Sequence, residues 1–136
     1  MKLIFKTMLL AVMLFSITSC DLGGDDTSVQ NCNYPIGIGT TAVTGPTTAS
    51  LNEEIELTVS FTLGNNCGKF HQFYETLDGN RDKIITVNAL FEGCNCDNSP
   101  VAKTEKYKFK AVSEGVYNLK FRKANNEFLI HTITVE

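Results

Sequence analysis

Five cysteines, two histidines and one run of alternating polar residues are the side chains of this 136-residue sequence best suited to chemistry. The cysteines are Cys20, Cys32, Cys67, Cys94 and Cys96. Cys94-Asn95-Cys96 offers half of a metal site that Cys67 could help complete, but zinc ribbons separate their paired cysteines by two to four residues. No Cys-x-x-Cys opens a helix, so a redox pair is not expected either. His71 and His131 each lie inside a run read as a strand, with no serine nearby, and neither Gly-x-Ser-x-Gly nor His-Glu-x-x-His occurs. Asp78, Asn80 and Asp82 have the alternate spacing of a calcium loop. Lys83, however, stands where that loop needs glycine, and Ala89 where it needs a bidentate glutamate. A hairpin turn accounts for Asp78-Gly79-Asn80 as well. With neither a nucleophile and its base nor an acid pair in view, the expectation is a non-enzymatic chain without metal or cofactor.

Cys20 belongs to a different pattern. Lys2 and Lys6 precede an unbroken apolar run of eight residues, Met8–Phe15, and small or polar residues follow. This is the order of a secretory signal, and the run is far shorter than the roughly 20 apolar residues a membrane span requires. Ile17-Thr18-Ser19-Cys20 resembles the lipobox of bacterial lipoproteins. The resemblance implies cleavage after residue 19 and acylation of Cys20 on both its thiol and its freed amine. Two or three acyl chains hold firmly, since each buried CH₂ contributes about 0.8 kcal/mol and a single chain is marginal.

The expected organisation is a signal peptide over 1–19, a flexible tether over 20–31 and a folded domain over 32–136. The tether is mostly Asp, Gly, Ser and Thr and would reach about 20 Å. Acids just after a lipidated cysteine are sorting signals whose reading differs between bacterial groups, so Asp21, Asp25 and Asp26 fit inner-membrane retention in one and surface export in another; the outer membrane or cell surface is the favoured expectation over the inner membrane. Loss of residues 1–19 removes two lysines and no acid, leaving ten cations against fifteen acids, a formal charge of −5. Such a chain has no general electrostatic reason to bind nucleic acid. Seven cations fall between Lys103 and Lys123, where Lys106, Lys108 and Lys110 alternate with Tyr107 and Phe109. That alternation reads as the solvated face of a strand.

The positioning elements are strands. In Glu54–Phe61 every second residue is apolar, which no helix face can match. The same period marks Ile85–Phe91, Tyr107–Ala111 and Tyr117–Phe121, and Ile36–Val43, Lys69–Glu75 and Glu127–Val135 complete seven candidates. Turn residues separate them, including Thr44-Gly45-Pro46, Leu63-Gly64-Asn65-Asn66, Leu77-Asp78-Gly79-Asn80, Ser113-Glu114-Gly115 and Ala124-Asn125-Asn126. Seven short strands in this length predict an all-β, antiparallel sandwich. Ser113-Glu114-Gly115-Val116-Tyr117-Asn118-Leu119 resembles the Asp-x-Gly-x-Tyr-x-Cys stretch of immunoglobulin-type domains, which implies an immunoglobulin-like sandwich with Tyr117 as its corner tyrosine. Leu119 replaces the cysteine and the chain has no tryptophan, so the core disulfide of that family is not expected.

In an exported chain Cys32, Cys67, Cys94 and Cys96 read as two disulfides, for which three pairings exist. Tracing strand directions brings all four to one pole. A Cys94–Cys96 bond would close a small, strained ring, so Cys32 and Cys67 should each take one member of that couple. The opposite pole carries Gly45–Asn52, Leu77–Asp82 and Ser113–Gly115. Its most polar loop holds Asp78, Asn80, Arg81 and Asp82, the residues expected to meet a partner, because binding residues concentrate on such loops. The sequence thus predicts a membrane-anchored interaction module for an envelope or extracellular protein or glycan. The alternative is an inhibitor or accessory factor of an envelope hydrolase.

Overall fold

The computed structural model describes residues 32–136; the leader, Cys20 and the tether lie outside the described residues. Among the described residues there are nine strands: β1 (Tyr34–Ile38), β2 (Thr40–Thr44), β3 (Thr48–Ala49), β4 (Glu54–Leu63), β5 (Gly68–Leu77), β6 (Lys83–Phe91), β7 (Val101–Lys110), β8 (Gly115–Arg122) and β9 (Phe128–Val135). They form an all-β sandwich. One sheet has the order β2-β4-β7. The other runs β6-β8-β9-β3, with β5 along one side of β6 and β1 beside the far half of its other side.

Alternation builds the core. Ile55, Leu57, Val59, Phe61 and Leu63 of β4 turn inward, facing Ile85, Val87, Ala89 and Phe91 of β6 and Tyr117, Leu119 and Phe121 of β8, all buried. Ile133 and Val135 of β9 and Tyr107 and Phe109 of β7 close the layer. Aromatic rings cross from sheet to sheet, with Phe73 and Phe121 both edge-on to Tyr107 at centroid distances of 5.3 and 5.5 Å. The residues between these project outward, so one period of two sets both the interior and the surface.

The expected sandwich is present, with three differences of detail. The run Ile36–Val43 is two strands, because the chain crosses from one sheet to the other at Gly39. A Cβ there would lie 2.4 Å from the backbone nitrogen of Ala124, so the crossover depends on a residue without a side chain. The strand read over Tyr107–Ala111 begins at Val101, paired with β4 without a break from Leu63↔Val101 to Glu54↔Lys110. Two pairings are parallel: β3 with β9, and β6 with β8 over Lys83–Ile85 and Leu119–Phe121. The second arises because β5 and β6 form a hairpin within one sheet, which carries β6 upward beside the equally directed β8.

Candidate interaction surface

The loop between β5 and β6 closes through Asp78 N–H donating to the Asp82 carbonyl at 2.9 Å, around Gly79 at φ +101°. Its acids are held from the neighbouring strand. Lys120 on the outward side of β8 reaches Asp78 at 2.8 Å and Asp82 at 3.0 Å. Asp82 Oδ1 also accepts the backbone N–H and the side-chain amide of Asn118 at 3.3 and 3.1 Å, and Asn118 Oδ1 accepts the Thr132 hydroxyl of β9 at 3.0 Å. The Lys120 hydrogen bond, helped by those from Asn118, holds the Asp82 carboxyl below its ordinary value despite some desolvation. The two carboxylates in turn raise the Lys120 ammonium. A fixed ammonium thus sits between the two acids that the calcium spacing had singled out. Among the described residues no group of three His, Cys, Asp or Glu is placed to hold a metal.

Arg81 lies over the next corner. A Cβ on Gly115, which has φ +131°, would stand 2.9 Å from the Arg81 guanidinium carbon, so the bare glycine gives that side chain its seat. The same corner is fixed from below by Tyr117, whose hydroxyl donates to the Ser113 carbonyl at 2.7 Å and accepts from the Ser113 hydroxyl at 2.9 Å. Asn80 and Arg81 are exposed. The hairpin tip is therefore a braced, polar loop joined to the corner Ser113–Gly115.

The four cysteines occupy the other pole. Cys32 is bonded to Cys94 and Cys67 to Cys96, with Cα–Cα distances of 5.1 and 5.6 Å. Each early cysteine takes one member of the Cys94/Cys96 couple, and both bonds converge on the loop after β6. Asn66 adds a link to this loop by accepting the Asp97 N–H at 3.0 Å. The loop between β8 and β9, Ala124–Asn126, lies against Gly39, with Asn126 at φ +63°.

Other chemistry-bearing residues are dispersed. His71 is exposed at a bulge in β5, and the His131 imidazole donates from Nε2 to the Pro46 carbonyl at 2.8 Å. On the outer face of the small sheet Lys106 bonds the Thr58 hydroxyl at 2.8 Å and Lys108 pairs with Glu54 at 2.9 Å, while Tyr107 and Phe109 are buried. The lysine alternation is that of a solvated strand face. Lys120, Asn118 and Thr132 were not singled out from sequence. The outward direction of Asn118 and Lys120 follows from the inward Tyr117, Leu119 and Phe121, and that of Thr132 from the inward Ile133, but the meeting of Asn118 and Lys120 with Asp82 depends on β8 lying beside the start of β6.

No curated protein and no solved structure matches the chain. A family model described as the ORF11 beta-sandwich domain matches residues 57–135, from within β4 to the end of β9. That match spans more than half of the 136 residues and takes in the braced hairpin, the corner and three of the four disulfide cysteines, and the chain belongs to the ORF11 beta-sandwich domain family.

Proposed function

We propose that this protein is a bacterial envelope lipoprotein, anchored through acyl chains on Cys20, whose immunoglobulin-like sandwich is a non-enzymatic module for a protein or glycan partner. The signal and lipobox pattern supports the anchor, and the outer membrane or cell surface is the place proposed for it. The observation that carries the binding reading is the polarity of the domain. Its entry point, Cys32, is bonded into one pole, and the braced loop of Asp78, Asn80, Arg81 and Asp82 stands at the other. A tether of twelve residues keeps the cysteine pole nearer the bilayer on average and turns the hairpin outward. Capping of an envelope hydrolase is a second reading, favoured by Leu77, which is 77% exposed beside the tip and gives the loop an apolar knob for a cleft.

Two measurements test this. Cys20→Ala should move the protein out of the detergent phase in phase separation; unchanged partitioning refutes the anchor. Asn80→Ala with Arg81→Ala, which spares the Lys120 brace, should abolish partner recovery by mild crosslinking of intact cells. Asn125→Ala in the loop between β8 and β9 should not. Loss of the partner only in the Asn125 variant reverses the orientation.

A further inference from the structure

The sandwich treats its long exposed edges differently. β7 borders the small sheet and carries Lys103, Lys106, Lys108 and Lys110 among its ten residues. Lysines of this kind discourage pairing with another strand. The lower edge of β9 is covered, since Thr134 N–H donates to the Thr47 carbonyl at 2.9 Å and β3 pairs alongside. β2 has only five residues and a register shift between Thr40 and Ala42. β5 is different. It is ten residues long, pairs only with β6 among the described residues, holds no proline, and has its single lysine at the upper end above the bulge between Phe70 and Gln72.

Below the bulge, Gln72–Leu77 is a regular edge. Its one charge, Glu75, is neutralised by Lys83 at 2.7 Å. Alternate backbone groups of an edge strand turn away from its partner and are ready to pair. Three of its six side chains are apolar and incompletely covered: Tyr74 is 55% and Leu77 77% exposed, and Phe73 is half-buried. Behind them the Tyr107 hydroxyl is buried beside the Glu75 carboxylate of β5, without a well-formed hydrogen bond to it.

We propose that the edge Gln72–Leu77 accepts an extended segment of a partner protein as an added strand, with apolar residues at alternate positions set against Phe73 and Leu77. The inference deepens the interaction reading and rests on it, for the edge runs directly into the hairpin tip. A backbone row of this kind specifies a polypeptide rather than a glycan. A second copy fits poorly. Antiparallel self-pairing centred on Tyr74 sets Phe73 opposite Glu75 of the other copy; centred on Glu75, it sets two carboxylates face to face, and centres nearer Phe70 run into the bulge.

The test places p-benzoylphenylalanine singly at positions 72, 74 and 76 of the full chain in intact cells, with position 80 at the tip and position 104 on the small sheet as comparisons. Adducts are mapped by mass spectrometry. The expected result is attachment from 72, 74 and 76 to one short segment of another protein, advancing about two partner residues per step in one direction, and none from 104. Tyr74→Lys, with the fold verified by circular dichroism, should lower the adduct from position 76 at least tenfold. Adducts to a second copy, adducts scattered over many proteins, or attachment from position 80 alone overturn the strand-addition proposal; the last leaves the interaction reading standing. Absence of adducts at every position overturns both.

Discussion

Tyr107→Phe and Tyr117→Phe remove the same atom from two buried rings and should shift stability in opposite directions. The Tyr117 hydroxyl donates to the Ser113 carbonyl at 2.7 Å and receives the Ser113 hydroxyl. Its loss removes a net contribution of about 1 kcal/mol and leaves a partly buried carbonyl without its donor, for a total of about 1–2 kcal/mol. The Tyr107 ring is only 2% exposed, and its hydroxyl lies by the Glu75 carboxylate without a well-formed hydrogen bond. Removing that oxygen relieves the desolvation of a poorly paired group, and the variant should gain about 1 kcal/mol. For a domain of this size 1 kcal/mol corresponds to about 4–8 °C in Tm, so calorimetry should separate the two variants clearly.

Alkaline titration adds an independent arm. Burial, and then the adjacent Glu75 charge, push the Tyr107 phenol well above its ordinary 10.0. An acid whose folded pKa is raised stabilises fully below its unfolded value, and that contribution is lost as pH climbs beyond it. Wild-type stability should therefore fall above about pH 10, and Tyr107→Phe should flatten this decline. The reasoning is refuted if Tyr107→Phe destabilises as much as Tyr117→Phe and leaves the alkaline slope unchanged.

The paired substitution Cys67→Ala and Cys96→Ala opens a bridge of sequence separation 29 and should cost about 3–4 kcal/mol in chemical denaturation, by the chain-entropy estimate; a loss below about 1 kcal/mol contradicts a clamping role. The Asp82 carboxyl is depressed chiefly by Lys120, so its contribution is complete above the ordinary 3.8 and lost as pH falls through the lowered value. Urea midpoints measured from pH 5 to pH 2 should show a weaker acid decline for Asp82→Asn than for wild type, and identical profiles would argue against the brace.

The legible parts of the fold were those governed by local period. Ile55, Leu57, Val59 and Phe61 announce β4 unaided, because one face of that strand is buried and the other is exposed or half-exposed. The upper half of β7 carries no such signal, since Lys103 and Glu105 occupy the inward register at an open edge where burial is incomplete. Gly39 reads as an ordinary small residue until Ala124, distant in sequence, is seen against it. The disulfide partners could be narrowed from strand direction, which fixes the pole of each loop, but not chosen between Cys94 and Cys96, whose neighbouring positions give both the same reach. At the hairpin, Asp78 and Asp82 were recognisable as a polar tip. Their bracing was not, because it requires the parallel placement of β8 that a simple alternating trace does not contain.

The bond from Cys32 to Cys94 also decides how the domain meets tension. β1 starts at the cysteine pole and runs down β6, so a pull on residue 32 would peel its five paired residues away one rung at a time, the weakest way to load a ladder of hydrogen bonds. With the covalent link in place, the pull passes at residue 32 into the loop after β6 and from there, through Cys96 and Cys67, to the junction of β4 and β5. Load is shared among three points of the fold before any rung of β1 is strained. A handle attached upstream of Cys32 should therefore extract the domain at low force only after reduction, with β1 the first segment to come free.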